Sequence, residues 1–183
     1  MNKVQPIRDT AMIANVKNLL MKKNYKYYIM FTIGINTGLR VSDILSLRVS
    51  DVSYRSHILI KEMKTDKVKR FLINAQLQKE LQAYIKAEKL MEHNYLIHSN
   101  KGSNNPIGRV QAYRVLHEAA SELGLEEIGT HTMRKTFGYW HYKQYKDVAI
   151  LQTIFNHSSP SITLAYIGIT DDMLDDTIKS FFL

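Results

Sequence analysis

Apolar and polar positions along the chain follow patterns that predict mainly helices. After the capping candidates Asp9 and Thr10, the apolar residues Ile13, Val16 and Leu20 recur at helical spacing. Further helices are predicted, on the same grounds, over residues 25–35, 76–92, 108–123, 131–144, 147–155 and 160–167. The chain is therefore expected to be largely α-helical.

A tight turn is predicted near residue 38. Gly38 follows an almost wholly apolar helical stretch, and glycine readily adopts the left-handed conformation that ends helices. Ser42 is expected to cap a short helix that carries Ile44 and Leu45. Arg40 would then stand on the turn between two helices.

The pattern changes from period 3.6 to alternation in "HILIKEMKTDKVKRFLIN", residues 57–74. Apolar and β-branched residues flank the polar stretch "KTDK", which predicts a β-hairpin with Lys64 at or near its tip. The fold class expected from these patterns is mainly α with a small antiparallel β-sheet (α+β). No internal repeat or linker divides the 183 residues, so a single domain over 1–183 is expected.

Composition narrows the class of partner. The chain carries a formal net charge of +8 with a pI near 9.5, and its first forty residues hold seven bases against one acid. Such a surplus favours a polyanion, and nucleic acid is the leading candidate. The sequence has neither an apolar run of membrane-spanning length nor a secretory signal, and it contains no cysteine. A cytoplasmic protein without membrane partners is expected.

The segment "THTMRKTFGYW", residues 130–140, carries candidate chemistry. His131 and Arg134 are three apart and so share one helical face, where together they could hold a phosphate. Histidine and arginine are frequent enough here for this spacing to arise by chance, and alone the pair is a weak signal. Taken singly, four other candidates are equally weak signals: Arg40, Lys64, His157 and Tyr166.

Order and setting strengthen these candidates. The stretches "NTGLRVSDILSLRVSDV", "KEMKTDKVKRFLIN", "THTMRKTFGYWHY" and "LQTIFNHSSPSITLAYIGI" resemble the signature segments of the tyrosine recombinase (phage integrase) family, in the family's order. The resemblance extends from about residue 28 to residue 170. It implies the fold of the tyrosine recombinase catalytic domain.

The resemblance also implies a complete catalytic set. Its members are Arg40 and Arg134 as phosphate-binding arginines, Lys64 as general acid, His131 and His157 as hydrogen-bonding or proton-transferring groups, and Tyr166 as nucleophile. Rigid, permanently charged guanidinium groups suit the anionic phosphodiester, and tyrosine supplies an oxygen nucleophile. Neither a metal nor a cofactor is expected. The implied intermediate is a 3′-phosphotyrosyl link.

Three further positions, each close in sequence to a candidate catalytic residue, can be matched to the family's pattern. Asp43 matches an acidic residue that supports the site from behind. Asn156 stands where glycine is common, and asparagine is the next-best residue for a left-handed helix stop. Lys135 stands where many relatives have histidine, which adds a positive charge beside Arg134.

The function implied is that of a site-specific DNA recombinase or integrase. Two alternatives remain open: a relaxing topoisomerase of the same chemistry (type IB-like), and a non-catalytic basic DNA-binding protein. The expected partner is double-stranded DNA, on which the chain would form a homotetramer, with a monomer or weak oligomer off DNA. Association with the nucleoid would follow from that activity.

Both ends of the chain raise a question of organisation. About 27 residues precede the matching region, too few for the separate N-terminal core-binding domain of most family members, so none is expected in this sequence. The chain is then either a catalytic-domain fragment or one of the short relatives that contain little else. The tail "TDDMLDDTIKSFFL", residues 170–183, predicts a helix capped by Thr170 with an apolar stripe. This helix either packs on its own domain or is exchanged between protomers.

Overall fold

Helices dominate the computed structural model, which describes residues 4–61, 68–169, 178–179 and 181–182. The elements of these ranges are α1 (Thr10–Lys23), α2 (Tyr25–Thr37), α3 (Val41–Ser46), a 3₁₀ turn (Val49–Asp51), β1 (His57–Lys61), β2 (Val68–Leu72), α4 (Ala75–Ala87), α5 (Arg109–Ser121), α6 (Thr130–Tyr145), α7 (Val148–Phe155) and α8 (Pro160–Ile167). The predicted fold class, mainly helical with a small antiparallel sheet, is confirmed.

Capping residues end or begin several helices where the sequence predicts it. The Asp9 side chain accepts a hydrogen bond from the backbone N–H of Ala11 at 2.7 Å, and so caps α1. Gly38 ends α2 with φ 69°, and Asn156 ends α7 with φ 58°, both in the left-handed region. Asparagine therefore serves as the left-handed stop that precedes His157.

The prediction that Ser42 caps α3 is wrong, because the helix begins earlier. Arg40 is the N-cap, and its carbonyl accepts hydrogen bonds from the backbone N–H groups of Asp43 and Ile44 at 3.0 Å each. Its backbone is extended, as the first non-helical residue requires, and Leu39 beside it is buried. Ser42 thus lies within the first turn, and Arg40 stands at the helix N-terminus.

The hairpin pairs β1 and β2 antiparallel, with His57 opposite Leu72 and Lys61 opposite Val68. Its tip, including Lys64, lies outside the described residues. The Lys69 ammonium donates a hydrogen bond to the Thr153 carbonyl at 3.1 Å. This bond holds β2 beside α7.

Two apolar clusters lie on either side of α6. The larger one surrounds α2 and takes in α1, α4 and α5. The smaller one is centred on Leu151, Phe155 and Ile167, from α7 and α8, and Tyr166 packs against it. Gly138 lets these two helices approach α6, since a Cβ there would lie 2.6 Å from Ile167 Cγ2 and 2.7 Å from Phe155 Cζ.

The segment before α1 binds α6 and the end of α8. The Ile7 amide donates to Thr136 Oγ1 at 2.9 Å, and Trp140 Nε1 donates to the Ile7 carbonyl at 3.0 Å. Arg8 Nη2 donates to the Gly168 carbonyl at 3.1 Å. The N-terminal segment therefore helps to fix the helix that carries Tyr166.

In the described ranges, no helix has the length and apolar character needed to cross a membrane. The predicted tail helix falls largely on residues outside those ranges, Thr170 among them. Ile178 and Phe181, which are described, are both 66% exposed.

Candidate active site

Arg134 is held rigidly at the junction of the two apolar clusters. Its side chain is buried, with the residue only 5% exposed. Nη1 donates to the Gly38 carbonyl and Nη2 donates to the Phe155 carbonyl, the latter at 3.0 Å. The guanidinium also lies 4.4 Å from the centre of the Phe155 ring. These contacts tie the ends of α2 and α7 to one charged group.

Burial lowers the pKa of Arg134 to about 10, although Tyr166 and Asp43 act in the opposite direction. Arg40 adds to the lowering through its positive charge. At pH 7 the guanidinium still carries its proton, since that pH lies well below its pKa. Asp43, predicted to support the site, therefore acts on Arg134 electrostatically.

Tyr166 lies beside His131 and His157. Its hydroxyl oxygen is 3.2 Å from His131 Nδ1, within hydrogen-bond distance. The His157 ring centre is 5.0 Å from the Tyr166 ring centre in an edge-to-face arrangement, and His157 Nδ1 is 3.1 Å from Thr163 Oγ1. Thr163 is fully buried, so this contact fixes the orientation of the imidazole.

The environment favours neutral forms of the histidines and of the tyrosine. Desolvation lowers the pKa of His131, and the positive charges of Arg134, Lys135 and Arg40 lower it further. Desolvation and the two arginines lower the pKa of His157 as well. Burial raises the pKa of Tyr166, while Arg134 and Arg40 partly offset that rise. A neutral His131 can accept a proton through Nδ1 when its other nitrogen carries the hydrogen.

A cavity of about 170 Å³ adjoins these groups. It is lined by residues from the N-terminal turns of α3, α5 and α6: Arg40, Val41, Ser42, Arg109, Thr130, His131 and Arg134. Arg134 is buried, whereas Arg40 and Arg109 are exposed. The cavity thus combines a cationic lining with the N-terminal ends of helices, and both favour an anion.

Five of the six candidate residues are brought together by the fold. Arg40, His131 and Arg134 share the cavity, and His131 and His157 both contact Tyr166. The sixth, Lys64, lies outside the described residues, so its position relative to the cavity stays a prediction. Strand β2, which follows it, is held against α7 through Lys69.

Sequence reasoning did not single out three residues that shape the site. Phe155 packs on Arg134, on His157 at 5.4 Å and on Tyr166 at 5.5 Å between ring centres. Thr163 orients His157, and Arg109 lines the cavity. The only available signal was position: Phe155 directly precedes the left-handed stop, and Thr163 lies one helical turn before the tyrosine.

The sequence pattern described as "Phage integrase family" matches residues 9–173 of the chain. The chain belongs to the phage integrase family. The match covers every element from α1 to α8, so the recognised family and the described helical fold coincide.

Curated relatives support the same assignment. The chain is 50% identical over 181 residues to "Probable integrase/recombinase YoeC" of Bacillus subtilis, covering 99% of this chain and 98% of the relative. It is 27% identical over 177 residues to a tyrosine recombinase of Pseudothermotoga lettingae, covering 94% of this chain but only 60% of that protein. These matches confirm the prediction of a tyrosine-type DNA recombinase, a class of enzyme that breaks and rejoins DNA.

Solved structures confirm the fold. The chain superimposes on XerA recombinase with a TM-score of 0.76 at 22% identity, covering 98% of this chain and 65% of XerA. It superimposes on XerH recombinase, solved bound to a palindromic difH substrate, with a TM-score of 0.77 at 20% identity, covering 98% and 53% of the two chains. The integrase-family chain therefore spans about half to two thirds of these longer recombinases.

Proposed function

We propose that this chain is the catalytic unit of a site-specific DNA recombinase in which Tyr166 attacks the scissile phosphate. The observation that carries the proposal is the contact between Tyr166 and His131, at the edge of a cavity lined by Arg40 and Arg134. A nucleophile, a proton acceptor and two permanent cations thus lie within one small volume. This combination suits attack on an anionic phosphodiester.

The cleavage step requires one bond to form and one to break. Tyr166 Oη forms a bond to phosphorus and passes its proton to His131 Nδ1. The bond from phosphorus to the 5′ oxygen breaks, and Lys64 protonates that oxygen. The product is a 3′-phosphotyrosyl link with a free 5′-hydroxyl on the other strand end. Attack by the 5′-hydroxyl of a second duplex reverses the step and exchanges strands.

The two arginines would divide the work of charge stabilisation. Arg134 is fixed by two backbone carbonyls, so it costs little to orient it toward charge that develops in the transition state. Arg40 is exposed at the N-terminus of α3, where it can close on a bound phosphate. His157 would donate a hydrogen bond to a further phosphate oxygen from the same side as Tyr166.

We further propose double-stranded DNA as the partner and a homotetramer as the assembly on DNA. The net charge of +8 supports an anionic partner, and the structurally similar Tn1549 transposon integrase was solved in complex with transposon right end DNA. The apolar tail residues Ile178, Phe181 and Phe182 are exposed, which supports their exchange between protomers. Nothing among the described residues favours relaxation of DNA or binding without catalysis.

A pool of nicked suicide duplexes with randomised sequence around the nick would test the reaction. Excess protein is incubated with the pool, and covalent protein–DNA adducts are recovered under denaturing conditions and sequenced. The wild type should form adducts of one sequence class. Tyr166→Phe should form none, while Tyr145→Phe, which alters an exposed tyrosine of α6, should match the wild type. Adducts that survive Tyr166→Phe would contradict the nucleophile assignment.

A further inference from the structure

The cavity beside His131 has an arginine that the proposed cleavage step does not use. Arg109 is the first residue of α5, and its side chain lines the wall that faces α3 and α6. The preceding residue, Gly108, is the N-cap and provides no side-chain cap. The N-terminus of α5 thus carries an arginine instead of the acidic residue that the helix dipole would favour.

The position of Arg109 is unfavourable for a purely structural cation. Within the described part of the chain, its side chain has no hydrogen-bond or ion-pair partner, in contrast to Arg134. It shares a cavity of about 170 Å³ with Arg40 and Arg134, whose charges repel it. An anion in or above the cavity would turn this repulsion into attraction.

Depth in the cavity separates the arginines into two groups. Arg134 is buried near Tyr166, so the phosphate under attack must approach that inner end. Arg40 and Arg109 are exposed toward the outer end and belong to different helices; Arg40 closes on the scissile phosphate in the proposed step, which leaves Arg109 for a second anion. A DNA strand that enters the cavity with one phosphate brings its neighbouring phosphate to the outer end.

We propose that Arg109 binds the DNA backbone phosphate next to the scissile phosphate on the cleaved strand. This inference rests on the proposed function and adds a phosphate-binding residue to it. Bidentate donation from the guanidinium to the neighbouring phosphate would fix the strand along its length, so that the scissile phosphorus meets Tyr166 in line.

Arg109 and Arg114 form a matched pair for the first measurement. Both are exposed arginines of α5, five residues apart and so on different faces, and only Arg109 lines the cavity. Arg109→Ala should weaken binding to the recovered target duplex about tenfold at low salt, because one charge-assisted contact is lost. It should also reduce the slope of log affinity against log salt by about 1. Arg109→Lys should recover part of the lost affinity, and Arg114→Ala should weaken binding much less than Arg109→Ala.

Uncharged methylphosphonate linkages identify which backbone phosphate Arg109 contacts. Two suicide duplexes are prepared with a methylphosphonate at the phosphate on the 5′ or on the 3′ side of the scissile one. On the unmodified duplex Arg109→Ala should slow adduct formation, and on one of the modified duplexes it should react as fast as the wild type. A penalty that persists on both modified duplexes would overturn the inference, as would an equal penalty from Arg114→Ala. Absence of adducts from the wild type would instead refute the proposed function.

Discussion

At the scale of single residues, the two predicted arginines differ in kind. Both fit the phosphate-binding pattern in sequence, yet Arg134 is buried and bonded to two carbonyls while Arg40 is exposed at a helix cap. Arg134 therefore links the ends of α2 and α7 as well as facing the cavity. Its contribution to stability could not be inferred from "HTMR", because the carbonyls that it binds are 96 and 21 residues away.

This difference predicts that the same substitution affects stability strongly at one arginine and hardly at the other. Arg134→Lys keeps the charge but cannot reach both carbonyls, so the free energy of unfolding should fall by about 2–4 kcal/mol. Arg40→Lys should change it by less than about 0.5 kcal/mol, since the side chain is exposed. Urea denaturation without DNA measures both values. Equal losses of stability would contradict the structural role assigned to Arg134.

The lowered pKa of His131 predicts the acidic limit of cleavage. As a proton acceptor His131 must be neutral, and its pKa lies below the ordinary value of 6.5. The second-order rate of adduct formation, which reports the free enzyme, should therefore hold down to pH 6.5 and fall only below it. His131→Gln should react roughly 10²–10⁴-fold more slowly, and its rate should no longer fall on acidification below pH 6.5.

His157 provides the control for that assignment, because its pKa is lowered as well. His157→Gln should slow cleavage but keep the fall in rate on acidification, since His131 remains. If the fall in rate below pH 6.5 disappears in His157→Gln and persists in His131→Gln, the proton acceptor is His157. The same suicide duplex and pH series serve for both variants.

At the scale of elements, local sequence signals predicted the helices better than their junctions. The left-handed stops at Gly38 and Asn156 follow from residue type and are correctly placed. The start of α3 is not where Ser42 suggests, because the preceding tight turn leaves Arg40 already in the capping position. The bond from Arg8 to the Gly168 carbonyl joins residues 160 apart, and no local pattern signals such a contact.

Helix α6 controls the position of Tyr166 through the close approach at Gly138. Gly138→Ala would place a Cβ within 2.8 Å of Phe155 and Ile167 atoms, so α7 and α8 would have to shift outward. The free energy of unfolding should fall by about 1–3 kcal/mol, and adduct formation at saturating DNA should slow.

Gly108→Ser is the control, because a Cβ at Gly108 meets nothing within 4 Å, and it should leave stability unchanged or slightly higher. Unaltered stability in Gly138→Ala would contradict this packing.

At the scale of the whole molecule, the site lies where two apolar clusters meet. The larger cluster carries Arg40 on α3, and the smaller one supports His157 and Tyr166. Periodicity could predict both sets of helices, but not that α7 and α8 pack as a separate group on α6. The geometry of the proposed catalytic site therefore depends on the docking of the smaller cluster, and conditions that loosen that docking should impair cleavage before global unfolding.

Histidines with lowered pKa values predict that the protein without DNA loses stability in mild acid. Desolvation lowers the pKa values of His98, His131, His141 and His157 below 6.5. These groups do not affect the stability well above pH 6.5, and they reduce it as pH falls from 6.5 to their folded-state pKa values, because the unfolded chain binds protons first. The urea midpoint should therefore be constant from pH 8 to 7 and decrease between pH 6.5 and 5. His141→Asn should reduce that decrease, since one titrating group is gone. A midpoint that rises between pH 6.5 and 5 would contradict the lowered pKa values on which the proposed proton transfer from Tyr166 depends.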